Sequence, residues 1–137
     1  MPPMPMQWDD SPHAGFTTGI PWLKVNPNYT SVNVALQEKK ENSILNYYRK
    51  LIALRKSPEY REVFTYGSFE PLLEERENIL AYRRSLDDRQ VMVIANFGHS
   101  ATEISMAEGK VLLGNGRTVY SNGGYLLDSA QVMVLTK

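Results

Sequence analysis

Gln90-Val91-Met92-Val93-Ile94-Ala95-Asn96-Phe97 decides how the rest of the chain is read. Its apolar run barely alternates, which predicts a central strand covered on both faces. On its N-terminal side, apolar stretches broken by turn residues continue the pattern: Val63-Phe64-Thr65-Tyr66 before Gly67, Phe69 to Leu73 before Glu74-Glu75-Arg76-Glu77, and Ile79 to Arg83 before Leu86-Asp87-Asp88. On its C-terminal side come Thr102 to Met106, Lys110 to Leu113, Thr118-Val119-Tyr120 and Gln131 to Leu135. Gly98, Gly109, Gly114-Asn115-Gly116 and Asn122-Gly123-Gly124 stand where turns are needed. About seven or eight short strands at this spacing predict an antiparallel β-sandwich or Greek-key sheet.

Upstream of Pro58 the period changes. Ile44, Tyr48, Leu51 and Ile52 recur at three- and four-residue spacing, with Tyr47 and Leu54 widening the stripe. Asn42 or Ser43 can cap this helix, Arg55 and Lys56 suit its C-terminus, and Ser57-Pro58 ends it. A short helical turn is predicted from Asn33, as cap, to Lys40. The first forty residues are dense in Pro, Gly and Asn but also carry Met6, Trp8, Phe16, Trp22, Leu23, Val25 and Tyr29. Such a segment predicts an irregular arm with apolar side chains to bury against another surface.

The chain has 137 residues, 42% of them apolar, with 15 Lys plus Arg against 15 Asp plus Glu. A neutral balance gives no electrostatic footprint for nucleic acid or an anionic membrane. The helix is locally basic through Arg49, Lys50, Arg55 and Lys56, and acids outnumber bases beyond Pro58. Without cysteine there is no disulfide, thiolate metal site or cysteine nucleophile. No apolar run approaches a membrane span, and the start lacks the pattern of a secretory signal, so a cytoplasmic location is expected.

Tests for chemistry are mostly negative. His13 and His99 stand in an arm and a turn with no ligand spacing around them, so no metal and no cofactor are expected. Tyr66-Gly67-Ser68-Phe69 lacks the second glycine of a nucleophile elbow, and Gly114-Asn115-Gly116 reads as a turn rather than a phosphate loop. Glu74-Glu75 with Glu77, and Asp87-Asp88, read as exposed hairpin turns. Asp9-Asp10 is different, because Met6-Gln7-Trp8 places an amide and an indole beside the acids, a combination suited to sugar through stacking and bidentate hydrogen bonding.

The succession Pro5-Met6-Gln7-Trp8-Asp9-Asp10, Ala14-Gly15-Phe16-Thr17, Pro21-Trp22, Val25-Asn26-Pro27-Asn28-Tyr29 and Asn33-Val34, then Tyr47 to Lys56 (YYRKLIALRK), resembles the oligo-1,6-glucosidases. It is similar also to the trehalose-6-phosphate hydrolases and sucrose isomerases of the same α-amylase superfamily. The resemblance implies a (β/α)8 catalytic barrel followed by an antiparallel β-domain. A barrel takes about 250 residues, so it implies that this chain is a C-terminal fragment. Residues 1–57 would be the end of the barrel, with the loop after its last strand and its last helix. Residues 58–137 would be the C-terminal β-domain.

The nucleophilic aspartate, general-acid glutamate and transition-state-stabilising aspartate of that family have no matching position here, so no catalytic residue is assigned. Pro3-Met4 replace the arginine and threonine that usually precede the proline of PMQW, which reads as a truncation with an altered start. Gln7, Trp8 and Asp9 are the candidates for the rim of a substrate pocket, against a purely structural role in anchoring the loop. The implied partners are the missing barrel and, for the whole enzyme, an oligosaccharide, with self-association of the fragment expected. The rival readings are a free-standing carbohydrate-binding or interaction module, in which Trp8 and Trp22 stack on sugar, and a structural domain that only steadies a barrel.

Overall fold

A computed structural model describes residues 3–137. The chain divides into two compact units, the first ending at Arg49 and the second running from Lys50 to Lys137. Among the described residues no helix is long and apolar enough to cross a membrane.

The first unit is built on turns. Single 3-10 turns at Pro12–Gly15 and Pro27–Thr30 precede helix α1, Val34–Lys39. Asn33 caps α1 as the sequence predicts: its Oδ1 accepts from the Leu36 N–H at 2.8 Å, and its Nδ2 donates to the Tyr29 carbonyl at 2.7 Å. Both ends of a 3% exposed amide are thus satisfied. Helix α2, Ile44–Lys56, starts at a dense polar corner. Ser43 Oγ accepts from the Asn46 N–H, Gln37 Oε1 accepts from the Leu45 N–H, and Asn46 Nδ2 reaches the carbonyls of Gln37, Glu38 and Lys40. These bonds occupy amides and carbonyls that a helix end otherwise leaves unpaired.

The stripe predicted along α2 exists but is only partly covered: Tyr47, Leu51 and Leu54 are half-buried, while its other members are open. Ile44 is 71% exposed, Tyr48 59% and Ile52 50%, so a helix amphipathic in sequence presents an uncovered apolar face.

In the second unit, helix α3 (Arg61–Tyr66) is followed by strands β1 (Ser68–Leu72), β2 (Ile79–Leu86), β3 (Arg89–Asn96), β4 (Thr102–Ser105), β5 (Lys110–Gly114), β6 (Val119–Ser121), β7 (Gly124–Leu127) and β8 (Val132–Thr136). One antiparallel sheet has the order β1-β2-β3-β8-β5 and the other β4-β7-β6. The predicted run does form a central strand, Arg89–Asn96, hydrogen-bonded to β2 on one side and β8 on the other, with Phe97 just beyond its end and exposed.

Register explains its two-sided burial. Ala81, Ile94 and Met133 are partners across three strands, so their side chains share a face. With Leu135 they meet Ile104, Tyr125 and Leu127 of the smaller sheet to form the sandwich core. On the opposite face Val91 and Val134 pack against Tyr60 and Val63, with Leu54, Phe64 and Leu113 around them. Burying each large aliphatic side chain contributes about 1.5–3 kcal/mol.

Two elements differ from expectation. Val63-Phe64-Thr65-Tyr66 is the body of α3, not a strand. A β-branched and aromatic run suits either state when read alone; with Tyr60 included, Tyr60, Val63 and Phe64 recur at helical spacing and face the sheet together. The Tyr60 N–H is held by Ser57 Oγ at 3.3 Å, which starts the turn.

Strand β7 was hidden inside what reads as a turn. The turn is Asn122-Gly123, with positive φ at both residues, and Gly124 already pairs with Ser121 and Ser105. A Cβ at Gly124 would lie 2.6 Å from the Ile104 carbonyl oxygen, so glycine there permits close strand approach rather than chain reversal.

Candidate functional site

The segment Gln7-Trp8-Asp9 lies in the first unit, where its backbone closes the N-terminus of α1. The Val34 N–H donates to the Gln7 carbonyl at 3.0 Å and the Ala35 N–H to the Trp8 carbonyl at 2.9 Å. Together with Asn33 this satisfies the first three amides of the helix, which removes them as an anion site. Gln7 Nε2 donates to Asn28 Oδ1 at 3.0 Å and to the Val32 carbonyl at 2.5 Å, so its amide is spent on the Pro27–Thr30 turn and the lead into α1.

Asp9 organises the next loop. Its Oδ1 accepts from the backbone N–H of Ser11 at 2.9 Å and from Ser11 Oγ. The side-chain bond from Ser11, then the backbone bond, hold its carboxyl below the ordinary aspartate range. The loop closes where the N–H groups of Trp8 and Asp9 both reach the Ala14 carbonyl. Ala14 is wholly buried in left-handed backbone, and Gly15 follows with φ +66. A Cβ on Gly15 would fall 2.6–2.8 Å from the Asp9 carboxylate, so Asp9 lies directly against glycine.

Of the three candidate residues, Gln7 and Asp9 direct polar groups inward to this network. Trp8 alone presents a large exposed surface, 49% of it open. Asp10 is exposed and unconnected to the network, while Trp22 is 86% exposed beside Ile20 at 95%. The arrangement can offer an indole for stacking at the end of a loop made rigid by hydrogen bonds.

Sequence reading missed the part played by Asn28 and Ser11. In sequence Asn26-Pro27-Asn28 is turn punctuation and part of the resemblance, with no role in a contact; in the fold Asn26 Oδ1 accepts from the Asn28 N–H and turns Asn28 towards Gln7. The Asp-x-Ser spacing at Asp9 and Ser11 was the available signal for the second loop.

Other candidates remain apart from this segment. Glu74, Glu75, Glu77, Asp87 and Asp88 are all exposed at turns, while His13 is half-buried in the arm and His99 is exposed. Among the described residues no group of three or more His, Cys, Asp or Glu could hold a metal ion.

Residues 3–67 match the family model of the alpha amylase catalytic domain. Over 93 residues the chain is 50% identical to the oligo-1,6-glucosidase of Bacillus cereus, a match covering 68% of this chain and 16% of that protein. The chain belongs to the α-amylase family. The oligo-1,6-glucosidase of Halalkalibacterium halodurans is 41% identical over 117 residues, covering 81% of this chain and 20% of its own length. The crystal structure of Bacillus licheniformis trehalose-6-phosphate hydrolase superposes with a TM-score of 0.85 at 31% identity, over 96% of this α-amylase-family chain and 25% of that structure. The chain therefore spans a fifth or less of the length of these curated relatives. Its mainly antiparallel β-domain, with the long helix before it, is the architecture found in that α-amylase-family enzyme.

Proposed function

We propose that this chain is the C-terminal part of a retaining α-glucosidase that hydrolyses terminal α-1,6 or related glucosidic bonds of short oligosaccharides, and that it performs no hydrolysis alone. The observation that carries this reading is the 50% identity to an oligo-1,6-glucosidase. In such an enzyme a carboxylate attacks the anomeric carbon while a carboxylic acid protonates the leaving oxygen, and water then releases the glucosyl ester. Those carboxyl groups belong to the barrel, the missing partner of this chain. Gln7 and Asp9 then act by holding the loop after the last barrel strand, and Trp8 stands at the pocket rim, because such sites are built from loops at the C-terminal ends of barrel strands.

The apolar face of α2 supports docking on a barrel over service as a free carbohydrate module. A sugar platform needs aromatics on an otherwise polar surface, whereas Ile44 and Ile52 flank Tyr48 along the helix and are at least half exposed. Self-association of the isolated chain through such surfaces follows from the same reading. The test is hydrolysis of a nitrophenyl α-glucoside by purified chain. No release is expected, and turnover that follows the chain through purification and survives removal of host glucosidases would sink the proposal.

A further inference from the structure

The chain contains two Asn-Gly pairs, Asn115-Gly116 and Asn122-Gly123, and the fold treats them differently. Asn115 is locked: its Nδ2 donates to the Ala130 carbonyl at 2.9 Å and its Oδ1 accepts from the Val132 N–H at 2.8 Å. A Cβ on the following Gly116 would meet the Gln131 side chain at 3.1 Å, so the space beside that peptide is filled. Asn122 forms the β6–β7 turn with Gly123, at φ 51 and φ 76, the left-handed pair that Asn-Gly supplies in a two-residue hairpin. Its exposed side chain has no hydrogen-bond partner among the described residues, and beyond Asn122 and Gly124, its chain neighbours, no heavy atom of the described residues stands within 4 Å of a Cβ built on Gly123.

We infer that Asn122 is a site of spontaneous covalent modification, deamidation through a cyclic imide, and that Asn115 is protected from it. Asparagine is one of the chemically labile side chains. The backbone nitrogen of Gly123 attacks Asn122 Cγ and loses its proton to solvent; the Cγ–Nδ2 bond breaks and ammonia leaves. Water then opens the imide at either carbonyl, giving aspartate or isoaspartate at position 122. No oxidant or reductant takes part. The attack needs a glycine amide without a side chain in the way and an asparagine free to rotate onto it, and both conditions hold only at the hairpin. Average exposure does not separate the two sites, since both asparagines are exposed; hydrogen bonding does. The product places a new negative charge at the β6–β7 turn.

Peptide mass mapping of the intact native chain, incubated at mildly alkaline pH after its fold is checked by circular dichroism, tests this. The Asn122 peptide should convert about tenfold faster than the Asn115 peptide, the factor expected when two hydrogen bonds must open before attack. In guanidinium the two rates should converge to within about twofold, because the fold that distinguishes them is gone. Equal rates in the native chain, faster conversion at Asn115, or no conversion at Asn122 while the unfolded chain reacts would each overturn the assignment.

Discussion

The Asp9 carboxylate lies against the bare Cα of Gly15, so close that a Cβ there would sit 2.6 Å from Asp9 Oδ1. Gly15→Ala should therefore destabilise the first unit through both the left-handed backbone and the clash, by about 1–3 kcal/mol. Gly19 provides the control. The nearest atom to its Cβ position is Thr17 Oγ1 at 3.8 Å, so Gly19→Ala should be neutral or stabilising by up to about 1 kcal/mol. Equilibrium denaturation of both variants checks the contrast.

Gln7 and Asn28 are far apart in sequence and meet through one amide–amide bond. Gln7→Ala loses that bond and the one to the Val32 carbonyl, whereas Asn28→Ala loses the first. Each should cost about 0.5–1.5 kcal/mol per bond lost, with the double variant less damaged than the sum of the singles. Strict additivity in denaturation would show that the two side chains do not act together.

Acid should weaken the Asp9 loop in one direction only. The folded-state carboxyl is held below its ordinary value by Ser11, so its contribution is fully present above the unfolded pKa and is lost as pH falls through the folded one. Carboxyl titration by NMR should place Asp9 below the ordinary aspartate range, and Ser11→Ala should move it upward. An unchanged titration in that variant would remove Ser11 as the cause.

Tyr125 is 1% exposed in the sandwich core, and its hydroxyl both accepts from the Gly109 N–H at 2.7 Å and donates to the Gly109 carbonyl at 3.0 Å. Tyr125→Phe keeps the ring and strands both backbone groups, which should cost about 1–3 kcal/mol. Thermal unfolding of the variant measures the loss.

Much of this fold is legible in the sequence alone, for reasons visible in particular residues. Gln90–Phe97 announces a central strand because residues facing two cores cannot alternate, and Asn33 announces a cap because its amide suits a helix start. The strand β7 was concealed because Gly124 serves close packing against Ile104 rather than a turn. The helix α3 was concealed because Val63, Phe64 and Thr65 favour strands locally and only burial beside Tyr60 and Val91 selects the helix. At the candidate site, Gln7, Trp8 and Asp9 were recognisable as types. The bonds of Gln7 to Asn28 and Val32 were not, since both join residues more than twenty positions apart, whereas the Asp9–Ser11 bond is local and signalled by the Asp-x-Ser spacing.

The most direct test is a graft: this chain's sequence from Pro5 onward replacing the matching segment of the Bacillus cereus oligo-1,6-glucosidase, assayed for glucose release from isomaltose. The proposal predicts that the chimaera hydrolyses isomaltose while the isolated chain releases nothing. A chimaera that folds, as judged by circular dichroism and a cooperative melt, yet stays inert, or an isolated chain that hydrolyses isomaltose itself, would contradict it.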